Sequence, residues 1–319
     1  MSGPESTVGP LTLEQRTGVI WMDGELVPWQ DAKVHVLNHT MHYGLGVFEG
    51  VRAYREASGQ TAIFRLSEHT ERLFNSAHIL GIEIPFTREQ IIEAQRTSVR
   101  ENRLEEAYVR PLVFMGAESL GLRVEELSVH VIVAAWEWPH YMSAESQETG
   151  IRMRTASITR HHVNISMCKA KAIANYTNSM LALREAISAG DDEALLLDNE
   201  GYATEGSGEN IFLLKNDVLH TPELTSCLDG ITRDSVLQFA REEGIEVIER
   251  RITRDEFYIA DEVFLTGTAA EIVPVRSLDG RVISSGRRGP VTELMQQRYS
   301  AELRGTNEAR HPEWRTPVA

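Results

Sequence analysis

Two apolar runs, V-I-W-M and E-L-V-P-W, flank Asp23-Gly24, and this is where ordered structure is expected to begin. A dipeptide of that kind between apolar runs is a two-residue hairpin signal, because both central positions tolerate a positive φ. Residues 1–17 before it are polar, carry Gly and Pro, and read as a loose arm. Gly50–Tyr54 and Thr61–Arg65 read as strands paired around a turn at Ser58-Gly59. A helix follows in which Leu73, Ala77 and Leu80 share one face, with Ser67 as its N-cap and Gly81 as its stop. A second helix starts at Thr87, where Gln90 completes a capping box, and ends near Arg103. A-Y-V-R-P-L-V-F-M-G and L-S-V-H-V-I-V-A-A-W-E-W-P-H-Y then read as strands on either side of the loop E-S-L-G-L-R.

The stretch W-P-H-Y-M-S-A-E-S-Q-E-T-G is polar and turn-rich, the composition of a linker. Beyond it I-R-M-R-T-A-S-I reads as a strand. A helix after Lys171 is expected to place Tyr176, Met180, Leu183 and Ile187 on one face and to end at Gly190. An antiparallel meander follows, with turns at Asn199-Glu200-Gly201 and Asn216-Asp217. Gly230 precedes a helix that begins at Ile231-Thr232. D-E-V-F-L-T-G is a buried strand, with Thr268 and Ala269 on the turn after it, and the tail beyond Arg304 is polar and reads as peripheral. The chain therefore divides into an arm (1–17), a small α/β domain (18–135), a connecting loop (136–149) and a larger domain (150–319).

Composition narrows the function. The 319 residues are 42% apolar and 25% charged, enough for two modest domains with a sizeable core. A net charge of -15 argues against a nucleic-acid partner, which needs a basic face. Two cysteines, Cys168 and Cys227, make no disulfide framework and point to a reducing compartment. No apolar run is long enough to span a membrane and the amino terminus has no signal-peptide pattern, so the cytoplasm is the expected location. No metal site is expected. His35, His39 and His42 have a helical spacing, but β-branched residues before them and glycines after them disfavour a helix, and no carboxylate or cysteine joins them. His161-His162 pairs with nothing at a metal or triad spacing.

The chemistry concentrates between Lys169 and Gly208, which reads K-A-K-A-I-A-N-Y-T-N-S-M and later D-N-E-G-Y-A-T-E-G-S-G-E-N. A lysine, a phenol and a carboxylate in a glycine-rich strand together suit an aldehyde cofactor with a pyridine ring. The amine forms a Schiff base, the phenol bonds the ring hydroxyl, and the carboxylate holds the ring nitrogen protonated. This stretch resembles the core of the fold-type IV pyridoxal-phosphate enzymes, the class IV aminotransferases, and among them the branched-chain amino acid aminotransferases. The register K-A-x-x-N-Y places the Schiff-base lysine at Lys171 rather than Lys169, the phenol at Tyr176 and the carboxylate at Glu205. Ile173-Ala174 depart from the glycines of better-known bacterial members.

Further strings carry the same resemblance, over roughly residues 19 to 305. H-x-x-H-Y-G-x-x-V-F-E-G-x-R-x-Y implies that Tyr43, Phe48 and Gly50 line the substrate pocket. H-x-x-R-L implies that Arg72, by pattern alone a solvated helix arginine, grips the cofactor phosphate. Tyr108 and Arg110, two apart on a strand, share a face, and an arginine on an apolar strand is costly to bury without an anion. The Y-x-R-P match implies that Tyr108 serves the substrate α-carboxylate and Arg110 the side-chain carboxylate of glutamate. Leu122, Trp138 and Tyr141 resemble the residues that complete this pocket. Free amides at the helix after Gly230 form an anion site, and G-I-T-R implies that Ile231 and Thr232 bind phosphate with Leu228 against the ring. S/T-G-T-A-A-E implies that Thr268 touches the phosphate and that the Thr268–Ala269 turn meets the substrate carboxylate.

The resemblance thus implies two α/β domains, the second with a mainly antiparallel barrel-like sheet, and pyridoxal 5'-phosphate between them. It implies reversible transamination of L-leucine, L-isoleucine and L-valine with 2-oxoglutarate, in an enzyme of branched-chain amino acid biosynthesis that is a homodimer or larger homo-oligomer. A D-amino acid or (R)-amine transaminase would use the same lysine, and an aminodeoxychorismate-type lyase has the same fold. The Y-x-R-P and V-F-E-G-x-R strings favour the branched-chain reading over the other transaminases. A lyase would eliminate instead of transferring the amine and make pyruvate without an acceptor acid. The presence of lysine, tyrosine and glutamate together argues against a catalytically dead binding protein on this scaffold.

Overall fold

The computed structural model describes residues 12–137 and 144–319. Trp138 and Tyr141 lie outside the described residues.

The first sheet is built from β1 (Val19–Met22), β2 (Glu25–Pro28), β3 (Gly46–Phe48), β4 (Val51–Arg55), β5 (Thr61–Phe64), β6 (Ala107–Met115) and β7 (Val129–Trp136). Its pairings are antiparallel, and the β1–β2 hairpin turns at Asp23 and Gly24, both with positive φ as its two-residue loop requires. The helices α2 (Leu66–Ile79) and α3 (Arg88–Glu101) lie on this sheet. Leu66, Leu73 and Ala77 of the one and Ile91, Ala94 and Val99 of the other join Val47, Val51, Ile63, Val109 and Val133 in one core. The Thr87–Gln90 capping box is present. A short helix, α1 (His39–Tyr43), forms where the sequence disfavoured one. The Asn38 side chain accepts the Met41 amide and Gly44, at φ 76°, ends it, so local capping overrides propensity.

A second sheet holds β8 (Ile151–Thr155), β9 (Glu193–Leu197), β10 (Ala203–Glu205), β11 (Asn210–Lys215), β12 (Val218–Thr221), β13 (Glu246–Glu249), β14 (Glu262–Gly267), β15 (Glu271–Leu278) and β16 (Arg281–Val282). In the order β10-β9-β8-β15-β14-β11, with β11 pairing back onto β10, six strands close into a barrel. Strand alternation sorts its residues. Ile211, Leu213, Val263, Leu265, Val273 and Val275 fill the barrel. Phe212, Leu214, Phe264 and Ile272 point outward, against α6 (Ile231–Glu242) and α8 (Pro290–Arg304). Tyr54 and Phe64 of the first sheet belong to this outer cluster, so one apolar layer joins the two sheets. The short helices α4 (Ala144–Thr149) and α7 (Arg254–Tyr258) pack against β15.

Strand β8 runs parallel to β9, and β12 parallel to β13. A parallel pair cannot be closed by a tight turn and needs a long crossover. The first crossover carries residues 156–175 and α5 (Tyr176–Ser188), hence Lys171. The second carries α6. The strand directions alone therefore bring both segments out of the barrel.

Three expectations are corrected. The tail is not peripheral: β17 (Arg315–Pro317) pairs antiparallel with β5, completing the first sheet, and Trp314 and Val318 are buried. Helix α2 starts before Ser67, with Arg65 as its N-cap at φ 52°. The Arg65 amide donates to the Trp314 carbonyl at 2.6 Å and its guanidinium lies 4.4 Å from the Trp314 ring centre, so the tail sets this start. Helix α5 buries Ala182 and Ala186 against Ala194 and Leu196, whereas Met180 and Ile187 are exposed. Small side chains let helix and sheet approach closely, so the larger ones face out.

Candidate functional site

A cavity of about 660 Å³ opens between the two sheets. Both crossovers contribute to its wall, together with β3, β6, the end of β10 and the turn after β14. That volume suits a small organic ligand rather than an ion.

Lys171 Nζ projects into it and donates to the Tyr176 hydroxyl at 2.7 Å. The backbone of this lysine is tied to the first half of the chain. Its amide donates to Ser76 Oγ at 3.0 Å, its carbonyl accepts the Phe48 amide at 3.1 Å, and Ala172 bridges to Val47. Ile173 and Ala174 fit because glycines face them, Gly46 at the start of β3 and Gly44 at the end of α1. A Cβ on Gly46 would stand 2.7 Å from Ile173 Cδ1, and one on Gly44 would stand 3.1 Å from Ala174 Cβ.

Glu205 closes one part of the cavity from the end of β10. Arg160 Nε stands 2.7 Å from its Oε1, and the Leu228 amide donates to Oε2 at 3.2 Å. Burial pushes the Glu205 carboxyl up, while Arg160, the Leu228 amide and Lys171 pull it back toward the ionised form. Two more buried carboxylates lie near. Glu209 lines the cavity and is pushed up to about 8, by burial first and then by the charge of Glu193. Glu193 is raised by burial, although Ala194 N, Ser207 N and Ser207 Oγ all donate to it.

Another part of the wall is rich in donors. Gly230 is the N-cap of α6 and has no side chain that could cap it, so the first amides of this helix, with Thr232 beside them, receive no N-cap side-chain acceptor. Arg72 of α2 reaches the same region and donates from Nη1 to the Asp229 carbonyl at 2.7 Å. Its other edge is gripped by Glu49, Nε to Oε1 at 2.6 Å and Nη2 to Oε2 at 3.0 Å, with His69 Nδ1 2.8 Å from Oε2. Glu49 is fully buried, yet Arg72 and His69 hold its carboxyl far below the usual range.

On the third side Phe48, Tyr108 and Arg110 meet. The Arg110 guanidinium lies 4.6 Å from the Phe48 ring centre and donates to the Tyr108 hydroxyl at 3.0 Å, and its buried Nε has no hydrogen-bond acceptor among the described residues. A Cβ on Gly50 would stand 2.0 Å from the Tyr108 hydroxyl, so only glycine admits this tyrosine. The Thr268–Ala269 turn also lines the cavity.

Of the residues singled out from the sequence, Phe48, Gly50, Arg72, Tyr108, Arg110, Lys171, Tyr176, Glu205, Leu228, Ile231, Thr232, Thr268 and Ala269 share this cavity. Tyr43 and Leu122 do not line it. Tyr43 is half-exposed beside His39 and His42, and Leu122 is 88% exposed. Sequence reasoning missed Arg160, Glu49 and Glu209. Glu49 and Glu209 stand inside strings already singled out, and an acid within V-F-E-G-V is a signal of a buried partner. Arg160 carries no such signal, because its pairing with Glu205 is made only by the crossover. The two histidine groups behave as ordinary polar residues. His39 Nε2 and His42 Nε2 meet the Gly121 and Val36 carbonyls, and burial pushes His161 down to about 4.

Comparison with known proteins agrees with this geometry. Residues 46–278 match the family described as amino-transferase class IV. The chain is 60% identical to the branched-chain-amino-acid aminotransferase of Pseudomonas aeruginosa, over 97% of this chain and all of that one. Its fold is similar to that of the T.th. branched-chain amino acid aminotransferase with pyridoxamine 5'-phosphate, with a TM-score of 0.92, 47% identity and coverage of 95% and 99% of the two chains. The same enzyme complexed with N-(5'-phosphopyridoxyl)-L-glutamate matches with a TM-score of 0.90 and 46% identity over the same shares.

Proposed function

Since the chain belongs to the class IV aminotransferases, and within them to the branched-chain-amino-acid aminotransferases, we propose that it exchanges an amino group between L-leucine, L-isoleucine or L-valine and 2-oxoglutarate, with pyridoxal 5'-phosphate held by Lys171. One observation carries this reading: Lys171 Nζ bonded to the Tyr176 hydroxyl, in a cavity that also holds a buried carboxylate and a helix N-terminus. The cavity fits the cofactor in size, and its donors match a phosphate and its acceptor a ring nitrogen. When bound, pyridoxal 5'-phosphate supplies an aldehyde for amines and an electron-withdrawing ring.

The residues divide the work. Lys171 Nζ would hold the cofactor's aldehyde and, when free, would be the group that takes up and gives back the proton of the substrate Cα. Tyr176, already within hydrogen-bond reach of Nζ, holds the ring hydroxyl. Glu205, kept toward ionisation by Arg160, holds the proton on the ring nitrogen, and Leu228 packs on the ring. Arg72, the Ile231 amide, Thr232 and Thr268 receive the phosphate. Tyr108 and the Thr268–Ala269 turn orient the substrate α-carboxylate. Arg110, parked on the Phe48 ring, answers the need for two substrates: it receives the glutamate side-chain carboxylate and covers the aromatic wall when an aliphatic side chain is present. Trp138 and Tyr141 complete the pocket in this reading.

Tyr43 and Leu122 we assign to the cavity of a second copy, in a homodimer. Val36, Met41, Leu122, Ile165, Met180 and Ile187 are large apolar side chains left exposed, the kind of surface an interface covers. The cytoplasm remains the proposed location, in keeping with two free buried cysteines, and among the described residues no helix is long and apolar enough to cross a membrane.

The test is the visible absorption of the protein with pyridoxal 5'-phosphate. L-leucine and L-glutamate should each bleach the band, and the matching 2-oxo acids should restore it. Bleaching by D-alanine or an (R)-amine alone would overturn the roles of Tyr108 and Arg110. Pyruvate release without an acceptor acid would indicate a lyase.

A further inference from the structure

We propose that Glu49 is a positioning residue for the cofactor phosphate: it locks the Arg72 guanidinium so that one N–H on each terminal nitrogen is left for a phosphate oxygen. The proposal rests on the cofactor reading above and concerns the same site. A guanidinium has five N–H donors in a rigid plane. Here Nε donates to Glu49 Oε1 at 2.6 Å, Nη2 to Glu49 Oε2 at 3.0 Å, and Nη1 to the Asp229 carbonyl at 2.7 Å. Three donors are committed, and the two that remain sit on different terminal nitrogens, the arrangement that takes two oxygens of one phosphate.

The lock itself is held from behind. Glu49 Oε2 also lies 2.8 Å from His69 Nδ1 and accepts the Gly50 amide at 3.2 Å. Glu49 is on the loop between β3 and β4, while His69 and Arg72 are one turn apart on α2. The carboxylate therefore pins a helix to a loop. The adjoining Phe48 amide is bonded to the Lys171 carbonyl, and Asp229 stands beside Gly230, the cap of α6. The Asp229 contact fixes the guanidinium against the α6 amides that would share the phosphate. Because Glu49 and Arg72 form a neutral pair, Arg72 contributes direction rather than net charge.

The test is titration of the full chain, freed of cofactor, with pyridoxal 5'-phosphate and separately with pyridoxal, which lacks the phosphate. Glu49→Gln is expected to raise the Kd for pyridoxal 5'-phosphate at least tenfold and to leave that for pyridoxal within twofold. In an Arg72→Gln background, Glu49→Gln should add nothing. Equal weakening of both ligands would mean a general structural role, and multiplying effects of the two substitutions would mean that Glu49 does not act through Arg72; either overturns the proposal. Arg72→Lys serves if Glu49→Gln fails to fold, because it keeps a cation beside Glu49. Lysine is a point charge without the planar fork, so this variant should fold and still lose tenfold for pyridoxal 5'-phosphate alone. Wild-type affinity in Arg72→Lys would overturn the proposal. If the unaltered chain binds pyridoxal 5'-phosphate no better than pyridoxal, the cofactor reading itself fails and the proposal falls with it.

Discussion

Glu209, on the lining of the cavity, and Glu49, behind the Arg72 side chain that lines it, are both buried glutamates, and they are driven in opposite directions. Glu49 is flanked by Arg72 and His69, so its carboxylate is ionised and committed on both oxygens. Glu209 has a second buried carboxylate, Glu193, as its strongest electrostatic neighbour, and its Oε2 accepts the Gly208 amide at 3.0 Å. Burial alone would raise both. The neighbours decide the sign, and with it the use: a paired carboxylate can hold a cation rigid, whereas a crowded one is pushed toward its protonated form. Glu205 stands between these extremes, raised by burial and opposed by Arg160.

The largest effect is expected where that intermediate balance is broken. Glu205→Ala should lower turnover by about a hundred-fold or more, the scale on which a single preorganised electrostatic group acts. Cofactor phosphate contacts would be untouched, so steady-state kinetics should show the loss while the visible band remains. Near-normal turnover would mean that Glu205 does not serve the ring nitrogen.

Next is the same substitution made at the two extremes. Glu49→Gln removes the partner of a buried guanidinium, and breaking a buried ion pair from one side costs about 3–5 kcal/mol. Glu209→Gln puts a neutral amide of similar shape in place of a carboxyl that burial and Glu193 push toward protonation, and is expected to cost well under half as much. Denaturant unfolding at pH 7 measures both. Equal losses would erase the distinction drawn between the two glutamates.

How much of this was legible beforehand follows from the range of each interaction. The Asp23-Gly24 hairpin, the Thr87–Gln90 capping box and the helix after Gly230 are decided within a few residues, and all are present. Lys171, Tyr176 and Glu205 were legible because they stand in contiguous strings, and the fold brings them to one cavity. Arg160 was not, since its partner lies across the β8–β9 crossover, and neither was the start of α2, which the tail sets through Trp314. The exposed face of α5 misled because apolar periodicity weighs Met180 and Ile187 above Ala182 and Ala186, whereas close packing on β9 selects the smaller pair.

The smallest effect is the most specific one, and it is a slope. Glu209 has its folded pKa raised from 4.5 to about 8, so between those values the folded chain binds more proton than the unfolded chain. Its contribution to stability is therefore complete below about pH 4.5 and is lost as pH rises through about 8. Glu209→Gln cannot titrate. The difference in stability between the unaltered chain and this variant should shift in the variant's favour as pH rises from 5 to 9, measured as paired unfolding midpoints. Glu256 supplies the opposite sign. Arg250 beside it lowers its carboxyl to about 2 against burial, so its contribution is present above about pH 4.5 and lost on acidification toward 2. Glu256→Gln should accordingly match the unaltered chain better in acid than at neutral pH. Parallel curves for Glu209→Gln and the unaltered chain would show that Glu209 is ionised throughout, and the contrast with Glu49 would then have to rest on position alone.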